Sequence, residues 1–307
     1  MAAEGIMVNG VAAGSVDVGH QGTRVSDLFS LIKPEITLAN LMAATSGLWV
    51  GAHGKPDMWS AGFTLLGSAL VVGGGAALNN FVDRDIDDKM ERTRDRPIAT
   101  GRLQPRVALW MGISLALSGL AILLVLVNLT AAACGFAGLV VYSYIYTVWL
   151  KRTTPLNTVL GGVSGALPPL IGYAGGSGGH LDWAAWSLFL IFFLWQPPHF
   201  LPLAMKRVEE YRAAGIPMLP VVRGFAVTKR HILIYASLLL PVSFLPYAFH
   251  VENLVYLATS LVLGIVFLGK ALQGLSAKDD VMWAKGMFSY SLLYLTTLCV
   301  AFVVGTL

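Results

Sequence analysis

The feature that most limits what this chain can become is its succession of long apolar stretches. Crossing the hydrocarbon core of a bilayer takes a helix of roughly 20 predominantly apolar residues. Nine stretches qualify, at about 34–53, 60–82, 107–127, 129–149, 157–175, 183–204, 229–249, 252–273 and 284–304. With 12% charged residues, the chain carries about half the charge of an ordinary soluble domain. An all-α polytopic membrane protein of nine transmembrane helices is predicted. The fifth stretch is the least regular, interrupted by Gly161, Gly162, Gly165, Pro168 and Pro169. Residues 1–23 are rich in Gly and Ala and are expected to form a mobile tail, with no signal-peptide pattern. Residues 24–307 are expected to form a single membrane-embedded domain.

The basic residues orient the spans. With the N-terminus inside, only Lys55 of the 21 Lys and Arg residues falls on the outer side. That asymmetry is the positive-inside pattern and predicts an N-in, C-out topology. It also supports nine spans, because dropping one would scatter the downstream charges. The inner connections 83–106 and 205–228 are long and charged, and long loops are where function concentrates. A net charge of +4 is weak reason to expect a nucleic-acid partner. Cys134 and Cys299 lie far apart inside apolar runs, so they form neither a disulfide framework nor a metal spacing.

The second span runs into Asn79-Asn80-Phe81-Val82-Asp83-Arg84-Asp85-Ile86-Asp87-Asp88. If the helix continues, Asn79, Asp83 and Asp87 recur every four residues and share one face. Carboxylates at a membrane edge are costly, and a divalent cation offsets that cost. Mg²⁺ takes oxygen ligands, usually one or two carboxylates plus substrate phosphates. Asp83 and Asp87 suit it, with the Asn79 or Asn80 carbonyl completing the set. Arg92, Arg94 and Arg96 follow; they suit phosphate recognition and equally a purely topological role. Mg²⁺ and arginines beside a lipid-facing helix imply a phosphorylated, lipophilic substrate such as a prenyl diphosphate.

Two further clusters stand out. Lys151 and Arg152 follow an aromatic-rich span end and could hold a diphosphate oxygen. The sixth span contains Trp195-Gln196-Pro197-Pro198-His199-Phe200, where two prolines are expected to kink or break the helix. Glu209 and Glu210 could join a second metal site, or form a surface ion-pair cluster with Lys206, Arg207 and Arg212.

Together these residues resemble the intramembrane aromatic prenyltransferases of the UbiA superfamily. Asn79-Asn80-x-x-Asp83-x-x-x-Asp87 is similar to the superfamily's first acidic motif, with Asn80 where an Asp is usual. The runs Arg92 to Pro97, Lys151 to Gly162, Trp195 to Phe200 and Tyr211 to Pro220 resemble the branch that farnesylates haem. The resemblance extends over nearly the whole chain after about residue 24. It departs from quinone-type members after the sixth span, where only Glu209 and Glu210 stand in place of a second acidic motif.

The resemblance implies nine helices around a central cavity open to the cytoplasm, in the cell (inner) membrane. It implies Mg²⁺-dependent farnesyl transfer from farnesyl diphosphate to the 2-vinyl group of haem b, with water addition, giving haem O for terminal oxidases. Asp83, Asp87, Lys151 and His199 are then the expected catalytic residues, with Arg92, Arg94, Arg96, Lys151 and Arg152 on the diphosphate. His199, Trp195 and Tyr211 are expected near the haem, where His199 could contact a propionate, ligate iron or shuttle a proton. Membrane lipid and a downstream haem A synthase are the other expected partners. Two readings compete: the same transfer to a quinone-precursor aromatic acid or a chlorophyllide, and a haem or lipid transporter with the carboxylates as an ion-coupling site.

Overall fold

The computed structural model describes residues 25–306, so the expected tail at 1–23 lies outside the described residues. Every regular element among them is helical, and the only strand-like pairing is an isolated antiparallel bridge between Glu252 and Thr306. A short α1 (Val25–Leu31) leads into α2 (Pro34–Gly51) and α3 (Met58–Val82). Next come α4 (Pro105–Ile122) and α5 (Leu129–Leu139), followed by the short α6 (Lys151–Thr153), α7 (Asn157–Gly165) and α8 (Leu167–Gly176). The remainder is α9 (Trp183–Lys206), α10 (Val208–Ala213), α11 (Leu219–Val242), the short α12 (Leu245–Ala248), α13 (Leu254–Leu275) and α14 (Asp280–Gly305). Local chemistry sets several starts: the Asp57, Asn128, Asp182 and Asp279 side chains each accept a backbone N–H in the first turn of the helix they precede.

All nine expected stretches are helical, but among the described residues seven helices are long and apolar enough to cross a membrane. The two others have identifiable reasons. α2 is long enough but carries Glu35, Thr37, Asn40, Thr45 and Ser46, which lower its apolar character. The fifth stretch divides at Ala166 into α7 and α8, each too short to span alone. Two further expectations are corrected. The connection 205–228 is largely helical: α10 lies within it, and α11 begins at Leu219, ten residues before the predicted span, bending at Gly224 (φ 73°). A proline in the first turn of α11 costs no hydrogen bond there, while Arg223, Lys229 and Arg230 had masked the helix in the hydropathy pattern. Nor do the prolines break α9, which runs unbroken through Pro197, Pro198 and Pro202. There the Gln196 side-chain amide donates to the Phe192 and Gly162 carbonyls, tying α9 to α7.

Outward faces are apolar, with Trp110, Leu117, Val125, Phe136, Val262 and Leu293 exposed. An apolar belt of this extent suits lipid contact. Helices approach closely through glycine. A Cβ placed on Gly47 would lie 1.9 Å from the Pro169 carbonyl oxygen, and one on Gly172 would lie 1.8 Å from that of Ala44. Backbone therefore touches backbone where α2 crosses α8.

Two small clusters at one end position the site. Ile86 and Met90 of the connection after α3 pack with Ala204, Ala214, Ile216 and Met218 of the connection after α9. Leu31, Ala77, Ile98, Leu103 and Ala108 hold α1 and the 83–104 segment against α3 and α4.

Candidate functional site

The acidic run does not continue α3 as a helix. α3 ends at Val82, Asp83 caps it, and Asp83–Asp85 and Asp87–Lys89 form two successive 3-10 turns. The expectation of three residues on one α-helical face is therefore corrected. A helix C-terminus already carries partial negative charge, so stacking further carboxylates on it would add repulsion. Even so, both Asp83 and Asp87 turn inward, each only 1% exposed.

Cations surround the two carboxylates. Asp83 Oδ2 accepts from Lys151 Nζ at 2.6 Å and from Asn79 Nδ2 at 2.8 Å. Its other oxygen, Oδ1, is sealed from solvent and accepts no hydrogen bond among the described residues. Arg96 Nη1 donates to both oxygens of Asp87, at 2.9 and 2.8 Å. Burial raises the Asp87 carboxyl above its ordinary range, opposed by the Arg96 charge. The turn is fixed from within by Thr93, whose hydroxyl donates to the Asp87 carbonyl at 2.8 Å.

Lys33 is the residue that sequence reasoning missed. The charge pattern marks it only as one of the inner-side basic residues. It lies between α1 and α2 in a left-handed conformation (φ 47°), and its ammonium donates to Asn79 Oδ1. Burial lowers its pKa, helped by the nearby Arg96 charge and opposed by Asp83. The available signal was its position, immediately before the proline that opens the first long helix. Asn79 thus links Lys33, Asp83 and Thr147, whose hydroxyl accepts from its amide at 3.1 Å. Thr147 sits in an 11-residue π-helical stretch, Val140–Leu150, that precedes Lys151. Such widened turns recur at functional sites.

The other candidates divide. Asn80 is buried, but its amide nitrogen donates to the Leu31 and Ala76 carbonyls at 3.0 Å each and so ties α1 to α3. Arg152 grips Asp85 through two hydrogen bonds of 2.6 and 2.7 Å and stands 3.9 Å from Asp83 Oδ1. Arg92 and Arg94 are exposed. Burial raises the Tyr211 phenol, with the neighbouring Arg92 charge opposing it, so these two residues are close. Glu209 and Glu210 pair with Arg212 and Arg207 along α10, the arrangement of a surface ion-pair cluster. Among the described residues no three His, Cys, Asp or Glu side chains gather as a metal cage.

His199 is in a second cluster. Its ring lies nearly parallel to those of Trp195 and Phe288, at centroid distances of 4.5 and 4.9 Å, with Phe200 edge-on. Its Nδ1 is 2.7 Å from Ser291 Oγ on α14. The Trp195 indole N–H donates to the Ser291 carbonyl at 2.9 Å. The structure thus presents a compact anion-and-cation cluster at one end of α3 and a buried aromatic–imidazole group between α9 and α14.

Known proteins resemble the chain at two levels. Residues 40–293 match the UbiA prenyltransferase family. The chain is 50% identical over 283 residues to the protoheme IX farnesyltransferase of Alkalihalophilus pseudofirmus, covering 91% of this chain and 89% of that one. It is 47% identical to the protoheme IX farnesyltransferase of Geobacillus kaustophilus, over 95% of this chain and 96% of the relative. In fold it is similar to a digeranylgeranylglyceryl phosphate synthase, with a TM-score of 0.77 at 18% identity, over 92% of this chain and 98% of the other. A UbiA homologue from Archaeoglobus fulgidus bound to GPP and Mg²⁺ matches with a TM-score of 0.62 at 17% identity, over 91% of this chain and 99% of that one.

Proposed function

The chain belongs to the UbiA prenyltransferase family, and on that premise we propose that it transfers the farnesyl group of farnesyl diphosphate to the 2-vinyl group of haem b. Water addition then gives haem O. One observation carries the chemistry: two carboxylates, each 1% exposed, sit with lysines and an arginine at the end of a long apolar helix. A lipophilic diphosphate needs that combination of charge and lipid access. The acceptor is suggested by the two farnesyltransferase relatives and by the Trp195–His199–Ser291 group.

The donor set fits Mg²⁺. Asp83 Oδ1 is an anionic oxygen, buried and accepting no hydrogen bond among the described residues, with Arg152 at 3.9 Å, and Asp87 is the neighbouring carboxylate. Two carboxylates with substrate phosphates are a usual Mg²⁺ set, whereas an all-protein cage is not. Asp83 and Asp87 would hold the ion, with Asn79 orienting Asp83, and the ion would neutralise charge on the leaving diphosphate.

The remaining work falls to the chain. Lys33, Lys151 and Arg96, now on Asn79, Asp83 and Asp87, are placed to turn their N–H groups to diphosphate oxygens as negative charge develops there. The allylic C–O bond breaks and its electron pair leaves with the diphosphate. The vinyl carbon attacks the allylic cation. Water then captures the cation formed beside the porphyrin and loses a proton. On the positive-inside pattern, the charged end of α3 faces the cytoplasm.

The test is a panel of acceptors. Purified protein with farnesyl diphosphate and Mg²⁺ is offered haem b, a quinone-precursor aromatic acid or a chlorophyllide, and products are read by mass spectrometry. Haem O from haem b alone is expected; a farnesylated aromatic acid with no haem product would overturn the reading.

A further inference from the structure

The hydrogen bonds of Ser291 determine which nitrogen of His199 carries the proton. A serine hydroxyl has one proton to donate. Ser291 Oγ lies 2.6 Å from the Phe288 carbonyl oxygen, one turn back along α14. Two oxygens so close repel each other unless a proton lies between them, so the hydroxyl proton is spent on Phe288. Ser291 Oγ can then only accept at its 2.7 Å contact with His199 Nδ1. Nδ1 therefore bears the hydrogen, and Nε2 of the neutral ring bears a lone pair. Nε2 has no hydrogen-bond partner among the described residues, and it is not among the sealed partnerless atoms. His199 as a whole is 8% exposed.

The surrounding contacts make Ser291 a fixed reference. It is fully buried, and its own carbonyl receives the Trp195 indole N–H at 2.9 Å. Trp195 and His199 lie one turn apart on α9, so both nitrogens of this pair dock on one residue of α14. The near-parallel Trp195 and Phe288 rings leave the imidazole little room to flip.

The geometry points to Ser291 as a positioning residue that holds His199 in its Nδ1–H tautomer, so that Nε2 acts as a lone-pair ligand to the iron of the haem acceptor. This rests on the reading that haem is the acceptor. A propionate contact needs an N–H at Nε2, which this tautomer does not supply. Iron ligation needs the opposite, and metal-bound histidines characteristically donate their other N–H to a fixed oxygen.

The experiment uses the full chain in lipid nanodiscs. In ¹⁵N-histidine NMR, the unaltered protein should give an unprotonated Nε2 signal that disappears in His199→Ala. Ser291→Ala should mix the two tautomers. Titrated with ferric haem b, Ser291→Ala should bind about tenfold more weakly. His199→Ala should bind at least as weakly and shift the haem absorbance band. A protonated Nε2 in the unaltered protein overturns the proposal even if every variant misfolds. Haem binding and absorbance unchanged in both variants overturn the proposal alone. Failure of the unaltered protein to bind haem overturns the haem reading and this proposal together.

Discussion

Lys151 Nζ lies 2.6 Å from Asp83 Oδ2, across 68 residues of chain. The carboxylate belongs to the end of α3 and the ammonium to the end of the π-helical stretch after α5. Removing one partner of a buried pair leaves an uncompensated charge, at a cost of about 3–5 kcal/mol. Lys151→Met should therefore lower thermal stability in the absence of metal. Mg²⁺ should restore more stability to this variant than it adds to the unaltered protein, because it binds without displacing an ammonium. Equal Mg²⁺-induced shifts in melting temperature would argue against a metal on Asp83.

Asp83→Asn and Asp87→Asn are nearly isosteric but each removes an anionic oxygen. Farnesyl transfer should fall at least a hundredfold in each, in line with loss of a transition-state electrostatic contact. Membrane insertion should persist, read by extraction and size-exclusion profiles. Full haem O production by both variants would remove the metal assignment.

Lys33→Met keeps the aliphatic stem and deletes the charge donated to Asn79. A hydrogen bond involving a charged group contributes about 1.5–3 kcal/mol. The KM for farnesyl diphosphate should rise about tenfold or more, while that for haem stays nearly constant. Steady-state kinetics with each substrate varied in turn separates the two.

Glu252 lies in the connection before α13, 1% exposed, with one carboxyl oxygen that has no hydrogen-bond partner among the described residues. Burial pushes its pKa up from 4.5 to about 8. The folded state therefore holds a proton that the unfolded chain releases earlier. The stability from that retained proton is complete below about 4.5 and is lost progressively as the pH rises towards about 8. Glu252→Gln should flatten this decline and melt higher than the parent at pH 8 and above. Parallel melting curves across that window would contradict it.

Backbone contact between α2 and α8 predicts a contrast between two glycines. Gly172→Ala must push a methyl against the Ala44 carbonyl, whereas a Cβ on Gly269 meets nothing within 4 Å. Overpacking of this kind costs about 1–3 kcal/mol. Gly172→Ala should lose stability or accumulate poorly, and Gly269→Ala should be neutral or slightly stabilising. Melting temperatures in detergent make the comparison.

Much of the architecture was legible because lipid imposes its rules locally. A span must be apolar over its own length, so 60–82, 107–127 and 183–204 could be read without any neighbour in view. The boundaries of α11 could not, because Arg223, Lys229 and Arg230 hide a helix that hydropathy alone cannot see. Nor could the continuity of α9 through three prolines. Pro197, Pro198 and Pro202 free the Phe193, Leu194 and Pro198 carbonyls, and how a spanning helix re-satisfies such groups is decided by what lies beside it in space.

The candidate site divides along the same line. Asp83 and Asp87 stood out as carboxylates at a membrane edge, an anomaly of composition that needs no fold to notice. Their pairing with Lys151 and Arg96, the return of Lys33 to Asn79, and the commitment of Arg152 to Asp85 needed the folded chain. So did the separation of Glu209 and Glu210 into ion pairs along α10. Sequence by itself determined which groups must leave water and which end of which helix carries charge, since both follow from residue type and spacing. Only tertiary structure decided which charge meets which, and that Ser291 meets His199, because electrostatic and hydrogen-bond partners are chosen by distance in space and by the direction of a single proton.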